Sequence, residues 1–551
     1  DPARTVVTFF KENDLQLLQS DKEGRFVVFS RGVFNDKAQR AVAKNFAQVK
    51  EKATRVKKQA IALCKELNLS KLVKEISDCK GVSLRVFFTA KTHKEGIPFR
   101  AIVSEKGSWQ QLVSQFLLNH LKSLQVDDPF TTKSSRDVTQ FLKGNASVAY
   151  VFSVDIVDLF YSVPQQEMCA SVRDCIDRNG AVAFQNLVGM SIANFMVLLE
   201  FYLKSTFISF NDALYVQRQG ICIGSCVAPV LCDIFLASID RDLHCYFDDR
   251  FYLKAFRYVD DFLICLKSNQ DFTVDQCVNE ILSDFRLHGK GMLFTHEIPS
   301  HGNLQFLDLI LILDKNHVCW QYSPRAQKEL LPYDSAHSKL VKRAIATLCL
   351  ESALMKSCPH AMQASFGNQL ARLQTAGYPS SVVGAVSKTL LQKVKGKKHI
   401  RSPNQKGCKP AVVPYVHKLS HNLKKVANRF GVPVVFSAPR KLAGLCPRIS
   451  RVEKKSGCQK NHTRPYVICA TVVIYEIPLK FVESYVGQTG RCVNDRAREH
   501  ELSIMNKGNA HLPAHCMVFL AGKCEPLLYD IKIIGRSGDT LARELLEAYH
   551  I

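Results

Sequence analysis

The sequence predicts a multidomain chain of mixed α/β (α+β) structure, and three observations support this prediction. Its 551 residues are enough for about three or four structural units. With 46% hydrophobic and 23% charged residues, the composition is that of a globular chain with a buried core. Strand-like runs at 148–156, 213–218, 256–266 and 304–313 are separated by helical patterns, such as the apolar spacing in 228–245.

The charge and the cysteines narrow the class of protein. A net charge of +24 indicates a polyanionic partner, either nucleic acid or an anionic membrane surface. Because no run of about 18 apolar residues occurs, we predict no membrane span and no membrane partner. Several of the twenty cysteines, including Cys222, Cys232 and Cys265, lie inside apolar runs. This usage is typical of buried reduced thiols and an intracellular setting.

The first 147 residues mix helices with short strands. Residues 50–80 form a basic stretch with helical spacing. Residues 87–103 then predict a strand, a turn and a second strand, with Lys91, His93 and Lys94 at the turn. These basic side chains suit contact with phosphate, although a solvated turn explains them equally well.

Two acidic sites end apolar strands in the next segment. Asp260 and Asp261 lie between two β-favouring runs, which predicts a hairpin with the acids at its turn. Asp155 ends another apolar run, where an unpaired charge is costly. If these strands are neighbours, their carboxylates would hold two Mg²⁺ ions about 3.5–4 Å apart, as in two-metal polymerase sites.

A glycine-rich loop at 219–229 lies between the two acidic strands. Gly220 and Gly224 permit a close approach of the backbone to a ligand. Pro229 suits the first turn of the helix that follows. The loop alone is weak evidence, and its position between an acid-ended strand and an Asp-Asp hairpin makes it specific.

Together these segments resemble the palm of a reverse transcriptase over residues 150–310. The resemblance implies a right-hand polymerase fold with fingers, palm and helical thumb. It also implies that Asp155, Asp260 and Asp261 bind two Mg²⁺, which activate the primer 3′-hydroxyl and steady the pyrophosphate. The matching segments are 155–164 for the first motif, 219–229 for the second, 258–261 for the third, and 304–309 for the primer-grip strand.

The resemblance also assigns a nucleotide site. Phe160 falls at the steric-gate position and would exclude a ribose 2′-hydroxyl, unless it is an ordinary core residue. Lys22 and Arg100 would contact the incoming triphosphate, and a guanidinium suits a bidentate phosphate contact. The other implied nucleotide-binding residues are Asp158, Gln219 and Gly220. In the thumb, Lys339, Lys342 and Arg343 would follow the duplex backbone, the alternative being a solvated basic face.

The last 86 residues carry a second set of motifs. Tyr475 and Tyr485 lie on two predicted strands, and Arg496 and His500 are spaced i, i+4 on the helix that follows. Glu547 lies on a later helix. This ordered set resembles a GIY-YIG endonuclease domain over 466–551, except that Val473 replaces the usual glycine of the first motif.

The resemblance gives these residues roles. Tyr475 and Tyr485 would place and activate the attacking water, and Arg496 would stabilise charge on the scissile phosphate. Glu547 would hold one divalent metal ion, with Glu544 as a substitute candidate. His500 would assist proton transfer. The alternative is an inactive nuclease fold kept for DNA binding.

A zinc site is also predicted around the nuclease core. Four of six ligand residues could form a tetrahedral Zn²⁺ site, although their spacing matches no sharp template, and buried thiols with surface histidines explain them equally well. The six residues are Cys458, His462, Cys469, His511, His515 and Cys516.

The two resemblances define the predicted domain organisation. Residues 1–147 form the N-terminal region and fingers, 148–315 the palm and 316–395 the thumb. Residues 396–465 form a basic connector, and 466–551 form the nuclease. Residues 393–465 contain nineteen Lys and Arg and one acid, Glu453, and the run beginning at Lys393 fits either a nuclear localisation signal or a solvated charge run.

This arrangement resembles the polyprotein of Penelope-like retroelements. The resemblance implies an RNA-directed DNA polymerase that nicks target DNA and copies element RNA from the new 3′-hydroxyl in the nucleus. The implied partners are template RNA, target DNA and dNTPs, and the oligomeric state stays open. One alternative is a telomerase-like enzyme that primes on existing DNA ends and has an inactive nuclease domain. Another is a non-catalytic nucleic-acid-binding protein, which the intact acids disfavour.

Overall fold

The computed structural model of the chain divides into two compact units, Asp1–Cys446 and Pro447–Ile551. The described residues are 2–211, 213–268, 270–314, 317–324, 329–335, 337–394, 410–416, 419–437, 444, 446, 449, 462, 465–480, 482–506, 512, 516 and 524–551.

The N-terminal part of the first unit packs short antiparallel strand pairs against helices. Strands β1 and β2 pair with each other, as do β4 and β5, while β3 joins two later strands. The elements are α1 (Pro2–Glu12), β1 (Leu15–Gln19), β2 (Phe26–Ser30), α2 (Arg31–Asn45), β3 (Phe46–Val49), α3 (Ala53–Glu66), α4 (Ser70–Asp78), β4 (Arg85–Ala90), β5 (Phe99–Ser104), α5 (Trp109–Leu121) and α6 (Ser135–Gly144). The basic stretch 50–80 thus forms two helices.

The next segment contains a four-stranded antiparallel sheet in the order β11-β6-β10-β9, and β7 and β8 join β3 in a three-stranded sheet. The elements are β6 (Val148–Ile156), α7 (Leu159–Ser162), α8 (Gln165–Val188), α9 (Ile192–Leu203), β7 (Phe207–Phe210), β8 (Ala213–Gln217), α10 (Ala228–Tyr246), β9 (Tyr252–Tyr258), β10 (Asp261–Lys267), α11 (Val274–His288) and β11 (Phe294–Glu297).

Both faces of this four-stranded sheet are covered. Alternate side chains of a strand point to opposite faces. Accordingly Phe262 and Ile264 pack into the core cluster that includes α8 to α11, whereas Leu263 and Cys265 pack into a second cluster with the following sheet. Because both faces of the sheet are covered, the interior of β10 is an unbroken apolar run. Acidic side chains can therefore occur only at the end of this strand.

The third segment is a three-stranded sheet, β12-β13-β14, followed by three helices that share a small core of their own. The bounds are β12 (Asn303–Phe306), β13 (Leu309–Leu313), β14 (Val318–Tyr322), α12 (Lys339–Met355), α13 (Met362–Thr375) and α14 (Ser380–Val394). The predicted primer-grip strand 304–309 is wrong as a single strand. Leu307, with φ of +51°, turns the chain between β12 and β13, so the segment is a hairpin.

The rest of the first unit has a parallel pair, β15 (Ala411–Pro414) and β16 (Val434–Ser437), joined by α15 (Ser420–Arg429). The second unit is a three-stranded sheet in the order β18-β17-β19 with two helices. Its elements are β17 (Thr471–Leu479), β18 (Val482–Cys492), α16 (Val493–Met505), a 3₁₀ turn (Leu528–Asp530), β19 (Lys532–Arg536) and α17 (Thr540–His550).

Within the described residues, no single helix has the length and apolar character to cross a bilayer. Only α8 and α9 taken together meet that requirement, and they are bent by 85° relative to each other. Seven side chains of α8 and six of α9 are buried within the protein, as expected for core helices.

Candidate functional sites

Three carboxylates meet at one end of the four-stranded sheet. Asp155 on β6 lies directly opposite Asp261 on β10 in the antiparallel register. Asp260 lies in the turn between β9 and β10, and its carbonyl accepts a hydrogen bond from the backbone N–H of Ile156 (3.2 Å). Val259 makes the tight turn possible by adopting a φ of +59°. The structure therefore brings together the three acids that the sequence singled out.

The electrostatics of this end of the sheet favour a bound cation. Burial and the neighbouring Asp261 raise the pKa of Asp260, and Lys22 and Arg100 partly oppose that rise. A raised carboxylate pKa means that its ionised form lacks sufficient compensating charge. Carboxylate oxygens are the ligands that Mg²⁺ prefers. The three acids thus fit a divalent-metal site.

A buried arginine, Arg257, stabilises the turn that carries Asp260. This residue was not among those predicted from the sequence. Arg257 on β9 pairs with Asp240 of α10 (2.5 Å) and with Asp128, and all three side chains are at most 5% exposed. Its guanidinium also donates a hydrogen bond to the carbonyl of Val259 (3.1 Å). This contact holds the turn that carries Asp260. The sequence did contain a signal for this role, namely a charged residue inside an otherwise apolar strand.

The glycine-rich loop packs tightly between two parts of the first unit. A Cβ on Gly220 would lie 2.2 Å from the carbonyl oxygen of Phe160, and one on Gly224 would lie 1.7 Å from that of Val103. Gly220 also has a φ of +80°. The loop can therefore take this path only with glycine at both positions. Gln219, which was predicted to bind nucleotide, is exposed beside it.

Phe160 and Asp158 follow β6 closely. The carbonyl of Phe160 accepts a hydrogen bond from the N–H of Ile221 (2.7 Å), and its ring is half-buried against the core. Asp158 pairs with Lys44 (2.6 Å) and Lys91 (3.5 Å). Although burial raises the pKa of Asp158, the two lysines lower it below its ordinary value. Asp158 thus links the N-terminal elements to the acidic strand.

Lys22 and Arg100 lie on the N-terminal elements, within electrostatic range of Asp260. Lys22 is exposed in the turn between β1 and β2. Arg100 on β5 pairs with Asp21 (3.1 Å), which also accepts a hydrogen bond from Thr89. A cationic rim therefore faces the acidic end of the sheet, as a triphosphate site requires.

One predicted thumb contact is wrong. Lys342 is buried, donates a hydrogen bond to the carbonyl of Ser335 (2.6 Å) and lies over the ring of Tyr333. It therefore stabilises the thumb internally and is not available to a phosphate backbone. Lys339 and Arg343 on the same helix are exposed.

In the second unit, the predicted nuclease residues lie close together. The hydroxyl of Tyr475 lies 2.8 Å from Nε2 of His500, and the rings of Tyr485 and His500 are 5.4 Å apart. Arg496 hydrogen-bonds to Tyr475 and to Glu499. Glu547 on α17 accepts a hydrogen bond from the backbone of Gln488 and lies within electrostatic range of Arg496.

Burial sets the protonation states of this group. Burial raises the pKa of Tyr475 to about 12, although Arg496 opposes the rise. Burial and Arg496 lower the pKa of His500 to about 4. Burial also raises the pKa of Glu547. At neutral pH the pair is therefore a protonated tyrosine and a neutral imidazole.

The backbone of β17 and β18 accounts for part of this arrangement. A Cβ on Gly487 would lie 2.7 Å from the Tyr475 hydroxyl, so the residue two positions after Tyr485 must be glycine. Val473, at the position where the resemblance expects glycine, is fully buried in the core of the unit. Glu544 is exposed on the same helix as Glu547.

Of the predicted zinc ligands, His462 and Cys469 lie together. Their ligand atoms and the thiol of Cys492, which the prediction missed, all lie within 4.8 Å of one another. Cys516 lies apart from them, with its thiol in contact with that of Cys524. Cys458, His511 and His515 are outside the described residues. The described ligand set is therefore two thiols and one imidazole.

Comparison with known proteins supports a family assignment for part of the first unit. Residues 99–291 match the family model described as reverse transcriptase (RNA-dependent DNA polymerase). The match includes Asp155, Gly220, Asp260 and Asp261, so the chain carries a reverse transcriptase domain with a mixed α/β polymerase fold. The prediction of an RNA-directed DNA polymerase domain is confirmed. No curated protein sequence matches the chain.

Several solved structures are similar to the chain at low identity. Apo telomerase from Candida tropicalis, truncated from its C-terminal domain, is 14% identical over 55% of this chain and 63% of its own, with a TM-score of 0.37. The chain thus spans less than two thirds of that protein. Telomerase from Candida albicans in complex with a TWJ fragment of telomeric RNA is 11% identical over 72% and 69%, with a TM-score of 0.47. The Sicinivirus 3Dpol RNA-dependent RNA polymerase is 13% identical over 58% and 71%, with a TM-score of 0.32.

Proposed function

We propose that the chain copies RNA into DNA at the cluster formed by Asp155, Asp260 and Asp261. The observation that carries this proposal is the register that sets Asp155 opposite Asp261 with Asp260 in the adjoining turn. Two Mg²⁺ ions bound there would supply charge for the attacking 3′-hydroxyl and the leaving pyrophosphate. The carboxylates hold the ions, and Arg257 holds the turn that presents Asp260.

The residues around the acids give the nucleotide its orientation. Lys22 and Arg100 supply positive charge to the triphosphate from the N-terminal side. Phe160 follows Asp155 by five residues, and its backbone is fixed against the glycine-rich loop. In this proposal the ring excludes a 2′-hydroxyl, so the substrates are dNTPs. Exposed Lys339 and Arg343 contact the template–primer duplex.

We propose a second activity, hydrolysis of DNA by a GIY-YIG-type site in the second unit. What supports it is the proximity of Tyr475, His500 and Arg496, together with Glu547 on a separate helix. In this proposal the Tyr475 hydroxyl orients the attacking water, and His500, whose Nε2 is hydrogen-bonded to that hydroxyl, assists proton transfer. Arg496 stabilises the charge that develops on the phosphate. Glu547 holds one divalent cation, and Cys469, Cys492 and His462 supply three of the four ligands of a structural Zn²⁺.

The two activities are complementary, because a nuclease produces the DNA 3′-hydroxyl that a polymerase requires. We therefore propose target-primed reverse transcription, in a Penelope-like retroelement protein that acts in the nucleus on template RNA and target DNA. The net charge of +24 supports extended contact with both nucleic acids. The alternative is priming on existing DNA ends, with the second unit binding DNA without cutting it.

The primary experiment is primer extension on an RNA template with dNTPs and Mg²⁺. Asp260→Asn keeps the shape of the side chain and removes its charge, so we expect cDNA synthesis to fall at least about 10³-fold. Asp249→Asn is the matched control, since Asp249 is an exposed acid beyond the other end of β9. If Asp260→Asn retains more than a few per cent of parent activity, the acids do not form the polymerase site.

A further inference from the structure

Two pairs of metal-ligand residues meet where the three-stranded sheet contacts the thumb helices. His317 and Cys319 lie at the start of β14, and Cys358 and His360 lie in the loop between α12 and α13. One ligand atom from each of the four residues lies within 4.8 Å of the other three. The Cys358 sulfur is 3.5 Å from Nε2 of His317 and 3.7 Å from Nδ1 of His360.

These distances match the edges of a tetrahedral metal site. With Zn–S of about 2.3 Å and Zn–N of about 2.0–2.1 Å, tetrahedral angles place sulfur and nitrogen about 3.5–3.6 Å apart. Two thiolates and two imidazoles in tetrahedral geometry favour zinc. Cys319 and Cys358 are buried and not disulfide-bonded, while His360 is exposed. The two thiols therefore lie inside the protein. The exposed imidazole of His360 lies at the surface, where a metal ion can enter.

We propose that His317, Cys319, Cys358 and His360 bind one structural zinc ion. The four ligands fill a tetrahedral shell, so no position is left for water or substrate. The site is more than 100 residues away in sequence from the His462–Cys492 group, and it lies entirely within the first unit. It serves the polymerase and not the proposed nuclease.

The position of the site indicates what the metal does. The loop that carries Cys358 is already joined to β14 by two hydrogen bonds. The N–H of Cys358 donates to the carbonyl of Trp320 (2.8 Å), and the N–H of Tyr322 donates to the hydroxyl of Ser357 (3.1 Å). Lys356 in the same loop pairs with Asp308 in the β12–β13 hairpin (2.5 Å).

Zinc would add a strong link between this loop and the sheet. It joins the loop between two thumb helices to the sheet whose hairpin, at Phe306–Leu309, corresponds to the proposed primer grip. The metal thereby fixes the thumb relative to the primer-holding hairpin. This part of the inference rests on the proposed polymerase function. Metal binding itself does not, and it is measured separately.

The test begins with the metal content of the full-length protein. We expect about one zinc ion per chain from this site, in addition to any zinc at the second unit. Cys358→Ser combined with His360→Asn should lower the zinc content by one equivalent. Cys349→Ser, another buried thiol on α12, should leave it unchanged. Cys469→Ser separates the contribution of the second unit.

A second measurement reports the geometry of the metal ligands directly. The parent protein, stripped with a chelator and loaded with Co²⁺, should show the visible absorption of tetrahedral, thiolate-bound cobalt. With Cys469→Ser as the background, this absorption should persist, and His360→Asn at the exposed ligand should shift it. Absence of the absorption in that background, or unchanged zinc content in the Cys358/His360 variant, would overturn the proposal.

The proposed role of zinc in fixing the thumb is tested by a separate measurement of cDNA synthesis. Zinc removal should shorten the cDNA made in one binding event while leaving the addition of a single nucleotide nearly unchanged. If zinc is bound and no RNA-templated synthesis is seen at all, the polymerase proposal fails and the metal site stands. If synthesis is normal and zinc is absent, the metal proposal alone fails.

Discussion

At the residue scale, Phe160 determines the proposed choice of sugar. Its backbone is held by Ile221 and Gly220, so a substitution should change the ring and leave the chain path intact. Phe160→Ala should lower the ratio of dNTP to rNTP incorporation efficiency by about 10–100-fold, because it opens space for the 2′-hydroxyl. Phe201→Ala removes another half-buried ring from the same core and serves as the control. An unchanged ratio in Phe160→Ala would make Phe160 a core residue only.

His500 makes the stability of the second unit depend on pH. Its folded-state pKa of about 4 lies below the ordinary value of 6.5, so the unfolded chain binds the proton first as pH falls. The stabilisation is present above about pH 6.5 and is lost progressively towards pH 4, and it amounts to about 3 kcal/mol.

His500→Gln, which cannot titrate, should flatten this dependence. Hydrogen exchange of α16 in the full-length protein, measured between pH 7 and pH 5, reports the local opening free energy. The control is the parent chain over the same pH range. Equal losses of protection in the parent and in His500→Gln would show that another group titrates.

The residues that could be recognised from the sequence alone are those whose charge is unfavourable in their apolar surroundings. Asp155 and Asp260 were recognisable because carboxylates at the ends of apolar strands require cations. Lys342 was assigned wrongly to the duplex, because the sequence does not show which face of α12 meets Tyr333 and Ser335. Cys492 was missed because the β17–β18 pairing sets it opposite Thr471, two residues after Cys469, and sequence spacing does not show that pairing.

At the element scale, the β9–β10 hairpin depends on the buried Arg257. Arg257→Met should destabilise the chain by about 3–5 kcal/mol, since it leaves Asp240 and Asp128 buried without their partner. Adding Asp240→Leu and Asp128→Asn should recover much of that stability. It should not recover primer extension, because the hydrogen bond to Val259 is still absent.

Urea unfolding and primer extension on the same samples test this separation. Arg250→Met, at an exposed arginine beyond the other end of β9, is the control for loss of charge. Full polymerase activity in the triple variant would mean that the turn holds Asp260 without help from Arg257.

Strands and helices with strong periodicity were predicted closely. The predicted strand 148–156 matches β6, and the pattern over 228–245 matches α10 to within one residue. The segment 304–313 was read as one strand, because Leu307 and Asp308 carry no glycine or proline signal for the turn between β12 and β13. Tertiary contact of Asp308 with Lys356 stabilises a turn that local sequence does not specify.

At the scale of the whole molecule, the sequence predicted two separate functional regions, and the structure has two compact units. The reverse transcriptase match covers residues 99–291, within the first of them. The second unit could be proposed as a nuclease only from the order of Tyr475, Tyr485, Arg496 and Glu547. Sequence spacing alone cannot show that side chains from two strands and two helices converge on one site. Their convergence is visible only in the folded structure.

The coupling of the two units gives the last prediction. Arg496→Ala should reduce nicking of supercoiled DNA by about 10²–10³-fold, because the lost charge is needed most in the transition state. Glu547→Ala should have a similar effect by loss of the metal ligand. The matched control is Arg498→Ala, which changes an exposed arginine on the helix of Arg496, and Glu544→Ala shows whether that exposed carboxylate holds the metal in place of Glu547.

Both nicking-deficient variants should still extend an annealed primer, since Asp155 and Asp260 lie in the other unit. They should fail to start cDNA on intact duplex DNA, and a nick made beforehand at the target should restore synthesis. Sequencing of the DNA–cDNA junctions measures this directly. If Arg496→Ala starts cDNA on intact DNA as efficiently as the parent, the second unit does not supply the primer. Priming on existing ends would then be the better description, because the polymerase would be acting on 3′-hydroxyls that it did not create.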